Sequence, residues 1–356
     1  MILNTPSLAS YNCMIMLSKS TLSPIVDLGR ALAVTSIFYF HVGVNTHYPL
    51  SQYGHFAVGF FIVLAGLAYM CFSRTHVSDR SSYFRYFGDR LLALFPIFII
   101  VNLLIFAASY VYPSGLGRPY TLGELILSSL GLSQYFGYRY LSVVMWFVPF
   151  ILQVYLLLPL IERLLARIPP VIVLIVAFLL SFELTMIVSV QYPWKAIEIC
   201  CSWSPIFRLP EVVLGVFLGM LFSQRARLPS GIVFLAVYIV ASFCLLQSAN
   251  YYPIPEVVAA LPCAGLILGV LITVIAVLMF VALSWSIHIR SFRLLGNASF
   301  PFFLIHGVAI RFIYAKFGAN VFIWLGYFLV CWCASIILTL FDRLLPRHFL
   351  SPHKIK

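Results

Sequence analysis

Ten apolar runs, each long enough to cross a bilayer, follow one another along this chain with basic connections between them, and that pattern leaves one class of fold open. They lie near 25–44, 56–73, 91–111, 141–161, 169–190, 206–223, 230–247, 258–285, 297–316 and 320–341. A membrane-crossing helix needs about 17–25 predominantly apolar residues. Its backbone polar groups must be satisfied within the segment, because lipid offers them no partner. Composition agrees: 63% of the residues are hydrophobic and 9% charged, against roughly 25% charged in soluble domains. The mean hydropathy is +1.04. A soluble fold of 356 residues has no means of covering so much apolar surface. The expectation is an all-α polytopic membrane protein of about ten transmembrane helices.

The 22 Lys and Arg against 10 Asp and Glu give a net charge of +12. In a soluble protein this excess points to nucleic acid; here its distribution is topological. With the N-terminus inside, Lys19, the Arg74–Arg90 cluster, Arg163 and Arg167, Arg225 and Arg227, Arg290 and Arg293, and Arg343, Arg347, Lys354 and Lys356 all fall on the cytoplasmic side. Only Arg118, Arg139, Lys195, Arg208, Arg311 and Lys316 lie at or near the outer side. The positive-inside rule then gives N-in and C-in. The expected partners include membrane lipids and no nucleic acid, and the expected location is a multi-pass place in the cell inner (cytoplasmic) membrane.

Residues 1–20 read as a cytoplasmic segment without the charged n-region of a signal peptide, 21–342 as one transmembrane domain, and 343–356 as a basic cytoplasmic tail. Met14 and Met16 leave a later translation start open. The stretch 112–140 is the longest outer connection, with room for an interfacial helix around Leu125–Leu132, and Pro149 and Pro159 predict bends in the fourth span. Of eight cysteines, Cys200–Cys201 and Cys331–Cys333 have no metal-binding spacing, so buried thiols packing as small apolar groups are expected and no metal. There is no Walker A motif, no dinucleotide fingerprint and no paired metal carboxylates. Asn297-Ala298-Ser299 fits a glycosylation sequon, but its expected cytoplasmic side argues against its use.

The first run carries the chemistry. Asp27-Leu-Gly-Arg30 is followed by ten residues and then His41, and ionisable groups inside a membrane helix need a local reason. Eleven steps of about 100° return to nearly the same face, while a rise of 1.5 Å per residue separates the two groups by roughly 16 Å. One helix face therefore carries a cation near one surface and an imidazole towards the other.

From Asp27 to about His306, an ordered set of segments resembles the membrane-bound acyltransferase family 3. Asp27-Leu-Gly-Arg30-Ala-Leu-Ala-Val to His41 resembles its opening arginine-x10-histidine run, and Phe60-Phe61-Ile-Val-Leu-Ala65-Gly66 its second-span motif. Tyr83-Phe-Arg85 to Arg90-Leu-Leu-Ala-Leu-Phe-Pro96 resembles its arginine-rich loop, and Trp146 with Gln153-Val-Tyr155-Leu-Leu-Leu-Pro159 its fourth span. Arg208-Leu-Pro-Glu211-Val-Val-Leu-Gly215 and Leu295-Gly-Asn-Ala-Ser299 to His306 fall where the family has related segments. Ala65 replaces the usual serine, and Ile151 and Leu152 replace two glutamates often found before the glutamine, which weakens any role for that span in proton transfer.

The resemblance implies transfer of an acyl group, commonly acetyl, from acetyl-coenzyme A at the cytoplasmic face to a hydroxyl of an extracytoplasmic or lipid-linked glycan. No permanently bound cofactor is implied; glycan-assembly proteins are possible partners. His41 is the expected general base or acyl acceptor, since neutral imidazole suits either task near pH 7. Arg30, too far along the helix to reach the same carbonyl, is the second member of the catalytic run. Its guanidinium suits the donor's phosphates, or pairs with Asp27 to shape the cytoplasmic entrance. Arg85 and Arg90 are expected either to hold donor phosphates or to meet anionic lipid. Asp27, Trp146, Tyr155, Arg208, Glu211 and His306 are expected to bind acceptor or line the cavity. Arg208 and Glu211 are spaced to pair within one helix turn, and Gly215-x-x-x-Gly219 is spaced for close helix packing. Glu183 has no assignable partner.

Two other classes fit the same composition. A transporter or flippase of a glycan lipid or acyl carrier predicts inverted repeats with paired broken segments, and none is evident. A nonenzymatic subunit of a glycan-export complex predicts that His41 is replaceable.

Overall fold

The computed structural model describes residues 19–46, 56–73, 77, 79–111, 118–138, 140–223, 228–256, 258–263 and 290–344. Every regular element among them is helical: α1 (Lys19–Thr46), α2 (Ala57–Phe72), α3 (Arg80–Val111), α4 (Leu122–Ser129), α5 (Phe147–Arg167), α6 (Pro170–Gln191), α7 (Leu209–Phe222), α8 (Leu228–Ser248), α9 (Arg290–His306), α10 (Ile310–Phe317) and α11 (Val321–Leu344). Among the described residues seven helices, within α1, α3, α5, α6, α8 and α11 and over Pro205–Phe222, are long and apolar enough to cross a membrane. α2 is a shorter apolar helix of 16 residues. The chain is an all-α, multi-pass membrane protein. Most of the expected eighth run, the segment 1–18, and the tail beyond Leu344 lie outside the described residues.

The third and fourth expected spans begin elsewhere for local reasons. α3 starts at Arg80 because Asp79 and Ser82 cap it reciprocally: the Ser82 amide donates to Asp79 Oδ1 at 2.7 Å and the Asp79 amide to Ser82 Oγ at 3.1 Å. α5 starts only at Phe147, after turns in which the amides of Met145 and Phe147 bond the carbonyls of Ser142 and Val144. Pro149 therefore sits in the first helical turn, where its missing amide is tolerated. Pro159 lies within α5; one turn before it, the Tyr83 hydroxyl donates to the Leu156 carbonyl at 2.9 Å. The connection expected on the outer side holds a short helix, α4, opened by a reciprocal Thr121–Glu124 capping box.

The centre of the bundle is the contact of α2 with α7, made by glycine. A Cβ on Gly66 would stand 2.6 Å from the Val216 nitrogen, one on Gly215 2.5 Å from the Val63 oxygen, and one on Gly219 2.5 Å from Met70 Cβ. The expected close-packing spacing is thus used, backbone against backbone. α1 lies against α9 by the same means: a Cβ at Gly296 would meet Asp27 Cβ at 2.4 Å.

The expected ninth span is two helices rather than one. α9 ends at His306, and α10 begins at Ile310. Tyr327 of α11 bridges the break: its hydroxyl donates to the His306 carbonyl at 2.8 Å and accepts from the Ala309 amide at 3.2 Å. Cys71, Cys200, Cys201 and Cys331 are buried thiols outside any disulfide, while Cys244 and Cys333 are exposed.

Candidate functional site

Two features lie along α1, one near each end of its face. Near the arginine-rich end, α1, α2, α3, α5, α9 and α11 surround a cavity of about 690 Å³. Its polar lining comes from Arg30, Arg90, Tyr155, Asn297, Ser299 and Thr339, and its apolar lining includes Phe61, Phe147 and Phe303. Helix direction orders these groups. Arg90 precedes Ile97 on α3 and Asn297 precedes Phe303 on α9, six or seven residues each, so the polar and aromatic parts stand roughly 10 Å apart.

Arg30 pairs with Asp27 at 3.4 Å, a long contact that leaves most of the guanidinium's five donors for other partners. Arg90 lies between two tyrosine rings, 5.3 Å from the Tyr86 centroid and 5.4 Å from that of Tyr155, within cation–π range. Its Nε has no hydrogen-bond partner among the described residues. Tyr86 is itself packed edge-on against Tyr69 at 5.2 Å, and the Tyr69 hydroxyl donates to Glu162 at 2.5 Å. Both guanidinium groups line the same cavity, and guanidinium is the side chain whose donors match oxyanion geometry.

Beyond the aromatic part lies the second feature. The rings of His41 and His306 have centroids 5.3 Å apart. His306 is fully buried among Phe38, Phe302 and Phe303, with centroids at 6.2, 5.8 and 5.5 Å. Its Nδ1 lies 3.2 Å from the Phe302 carbonyl, which can only accept, so Nδ1 carries the proton and Nε2 the lone pair in neutral imidazole. That Nε2 has no hydrogen-bond partner among the described residues. His41 is half-buried, the more accessible of the two.

Of the residues singled out in the sequence, Arg30, Arg90 and Tyr155 line the cavity. Asp27 stands behind Arg30, and His41 and His306 form the pair beyond it. Arg85 is exposed and does not line the cavity. Trp146 packs edge-on against Phe147 and Phe150 without lining it. Arg208 and Glu211 are buried, 1% and 0% exposed, and joined by Nη2–Oε1 at 2.6 Å and Nε contacts of 3.2 Å to both oxygens. This pair belongs to neither feature, and Arg208 Nη1 has no hydrogen-bond partner among the described residues.

The sequence profile of acyltransferase family 3, an acyltransferase domain, matches residues 24–341. The chain belongs to this family. It is therefore an acyltransferase, and the match begins just before Asp27 and ends within α11, enclosing the cavity and the histidine pair of this family 3 enzyme. No curated protein and no solved structure matches the chain.

Asn297, Ser299, Phe147, Phe303 and Thr339 were not singled out as cavity residues. The signal for the α9 group was its spacing: positions 296, 299, 300 and 303 recur at helical period and share one face. Pro301 adds a second signal, because it has no amide to bond the Asn297 carbonyl one turn back.

Proposed function

We propose that this family 3 acyltransferase moves an acetyl group from acetyl-coenzyme A to a hydroxyl of an extracytoplasmic or lipid-linked glycan, across the bacterial inner membrane. The carrying observation is the stacking of a two-arginine cavity and a histidine pair along the face of α1. The donor's phosphates meet Arg30 and Arg90, with Tyr86 and Tyr155 holding Arg90, and the thioester reaches towards the aromatic end. His41 removes the acceptor hydroxyl's proton. The oxygen attacks the thioester carbonyl, a C–O bond forms, the C–S bond breaks, and the thiolate takes the proton from the His41 imidazolium. Positioned general bases contribute about 10²–10⁴-fold. His306 stands behind His41 and fixes its ring.

The topology that accompanies this reading is ten spans with both termini inside, supported by the arginines at the Arg30 end. Arg85, exposed on the first turns of α3, then faces anionic lipid headgroups. Arg208 and Glu211 hold the α7 end together rather than contacting the acceptor. Glycan-assembly proteins supply the acceptor.

The test is transfer of labelled acetyl from acetyl-coenzyme A, given to inverted vesicles, into the host's glycan fraction. Label with the native chain and none with an equally expressed His41→Ala supports the reading. Equal label in both removes His41 from the chemistry, and none in either points to other donors or to a transport role.

A further inference from the structure

Phe147 and Phe303 both line the cavity, and their ring centroids are 4.5 Å apart at an interplanar angle of 45°. They are 4% and 2% exposed. Phe303 also touches the His306 ring at 5.5 Å. On α9 it precedes His306 by three residues, roughly 4.5 Å of rise. Phe147 is backed by Phe61 at 5.8 Å and Phe150 at 6.4 Å. The arginines thus lie on one side of a close ring contact and the imidazoles on the other.

We propose that the Phe147–Phe303 contact is an acyl-size filter, so that the enzyme takes short acyl groups and discriminates against each added methylene. The proposal rests on the reading of the cavity as the donor site. The carbonyl attacked by the hydroxyl that His41 deprotonates must come past these rings, and the acyl chain attached to it must be accommodated where they now touch. An acetyl group asks the rings to part by one methyl. A butyryl group asks for two methylenes more in a space already filled, and one misplaced methylene changes an enzyme's preference by about 10–200-fold. The bonds exchanged are those of the transfer itself: C–O forms, C–S breaks, and the acceptor's proton ends on the coenzyme A thiol. Both rings are apolar and neither hydrogen-bonds, so they sort donors by size alone.

The experiment compares labelled acetyl-coenzyme A with labelled butyryl-coenzyme A in the inverted-vesicle assay, using native chain, Phe147→Ala, Phe303→Leu and Phe147→Trp, each matched for folded protein by its melting curve in detergent. The native chain is expected to favour acetyl by at least about tenfold. Phe147→Ala is expected to shift the butyryl-to-acetyl ratio upward by about tenfold or more, Phe303→Leu to shift it in the same direction by less, and Phe147→Trp to lower it. Should Phe147→Ala not accumulate, Phe303→Leu and Phe147→Trp decide the matter by moving the ratio in opposite directions. Native transfer with a ratio that no variant moves by more than about twofold overturns the filter and leaves the donor-site reading intact, as does a native chain that takes both donors equally. No transfer from either donor by the native chain overturns the donor-site reading, and the filter with it.

Discussion

His306 presents the lone pair of a fully buried Nε2 beside His41, whose ring centroid is 5.3 Å from its own. The partner that fixes this arrangement is the Phe302 carbonyl, which holds the proton on Nδ1. Two imidazoles from α1 and α9, far apart in the chain, therefore meet, the buried one among phenylalanine rings.

His306→Gln keeps a polar side chain of similar reach but removes the ring. Transfer is expected to fall by about 10–100-fold, less than the roughly 10²–10⁴-fold loss for His41→Ala, with donor KM unchanged in both. The discriminating measurement is the pH profile of kcat: the acidic limb moves in His306→Gln if the second imidazole positions the first, and stays in place if His306 only fills space.

Arg30 and Arg90 are expected to act on donor affinity. Arg90→Gln and Arg30→Gln should each raise the KM for acetyl-coenzyme A about tenfold, corresponding to loss of roughly 1.4 kcal/mol of uniform binding, with little change in kcat. Tyr155→Phe keeps the ring over Arg90 and should resemble the native chain, whereas Tyr155→Leu should resemble Arg90→Gln. Initial rates over a donor series in inverted vesicles check all four.

Arg208 and Glu211 should prove structural. Arg208→Ala leaves the Glu211 carboxyl buried without its cation, and breaking such a pair costs about 3–5 kcal/mol. The double change Arg208→Met with Glu211→Leu removes both charges and is expected to recover most of that loss. Melting temperature and folded yield are read alongside transfer per folded molecule; a double variant that folds but no longer transfers would place the pair in acceptor binding instead.

The Arg118–Glu124 pair fastens α4 to the connection before it. Burial works to raise the Glu124 carboxyl, but hydrogen bonds from Arg118, at 2.7 and 3.0 Å, and from Thr121 outweigh it and leave the group below the usual carboxylate range. A depressed folded value means that the contribution is fully present above the unfolded value, about 4.3, and is lost as pH falls through the lower folded one. The melting temperatures of native chain and Glu124→Gln should therefore differ at pH 6–7 and draw together as the pH is taken well below 4.

The membrane fold was legible because lipid leaves a backbone few choices, and apolar runs of the right length declare themselves. Arg30 and His41 were legible for the same reason, being polar where polarity is expensive. Arg85 and Arg90 were harder. Placed in a loop they read as one cluster, but α3 begins at Arg80, and five helical steps set the two about 140° apart. Only Arg90 reaches the cavity. The Asp79-x-x-Ser82 cap that starts the helix was present in the sequence as a signal for this. Phe147 carried none and Phe303 only its place on the face shared with 296 and 299, since an apolar residue between two polar sites otherwise has the same pattern as one in any core. The break after His306 was marked only by Gly307; the His306 carbonyl is satisfied by Tyr327, a residue of another helix.

That tyrosine has a consequence for how the enzyme is made. α1 is synthesised early and α9 late, so His41 must wait in the membrane for the imidazole that completes it. When α9 arrives, its end still lacks the hydroxyl of Tyr327, which comes only with α11. The bond that holds the end of α9 is thus added by the last of the described helices to leave the ribosome. An insertion intermediate stalled before α11 holds all of the cavity's named polar lining except Thr339, yet lacks the latch on the His306 end. A chain ended before α11 is therefore expected to show no transfer even though it carries both histidines.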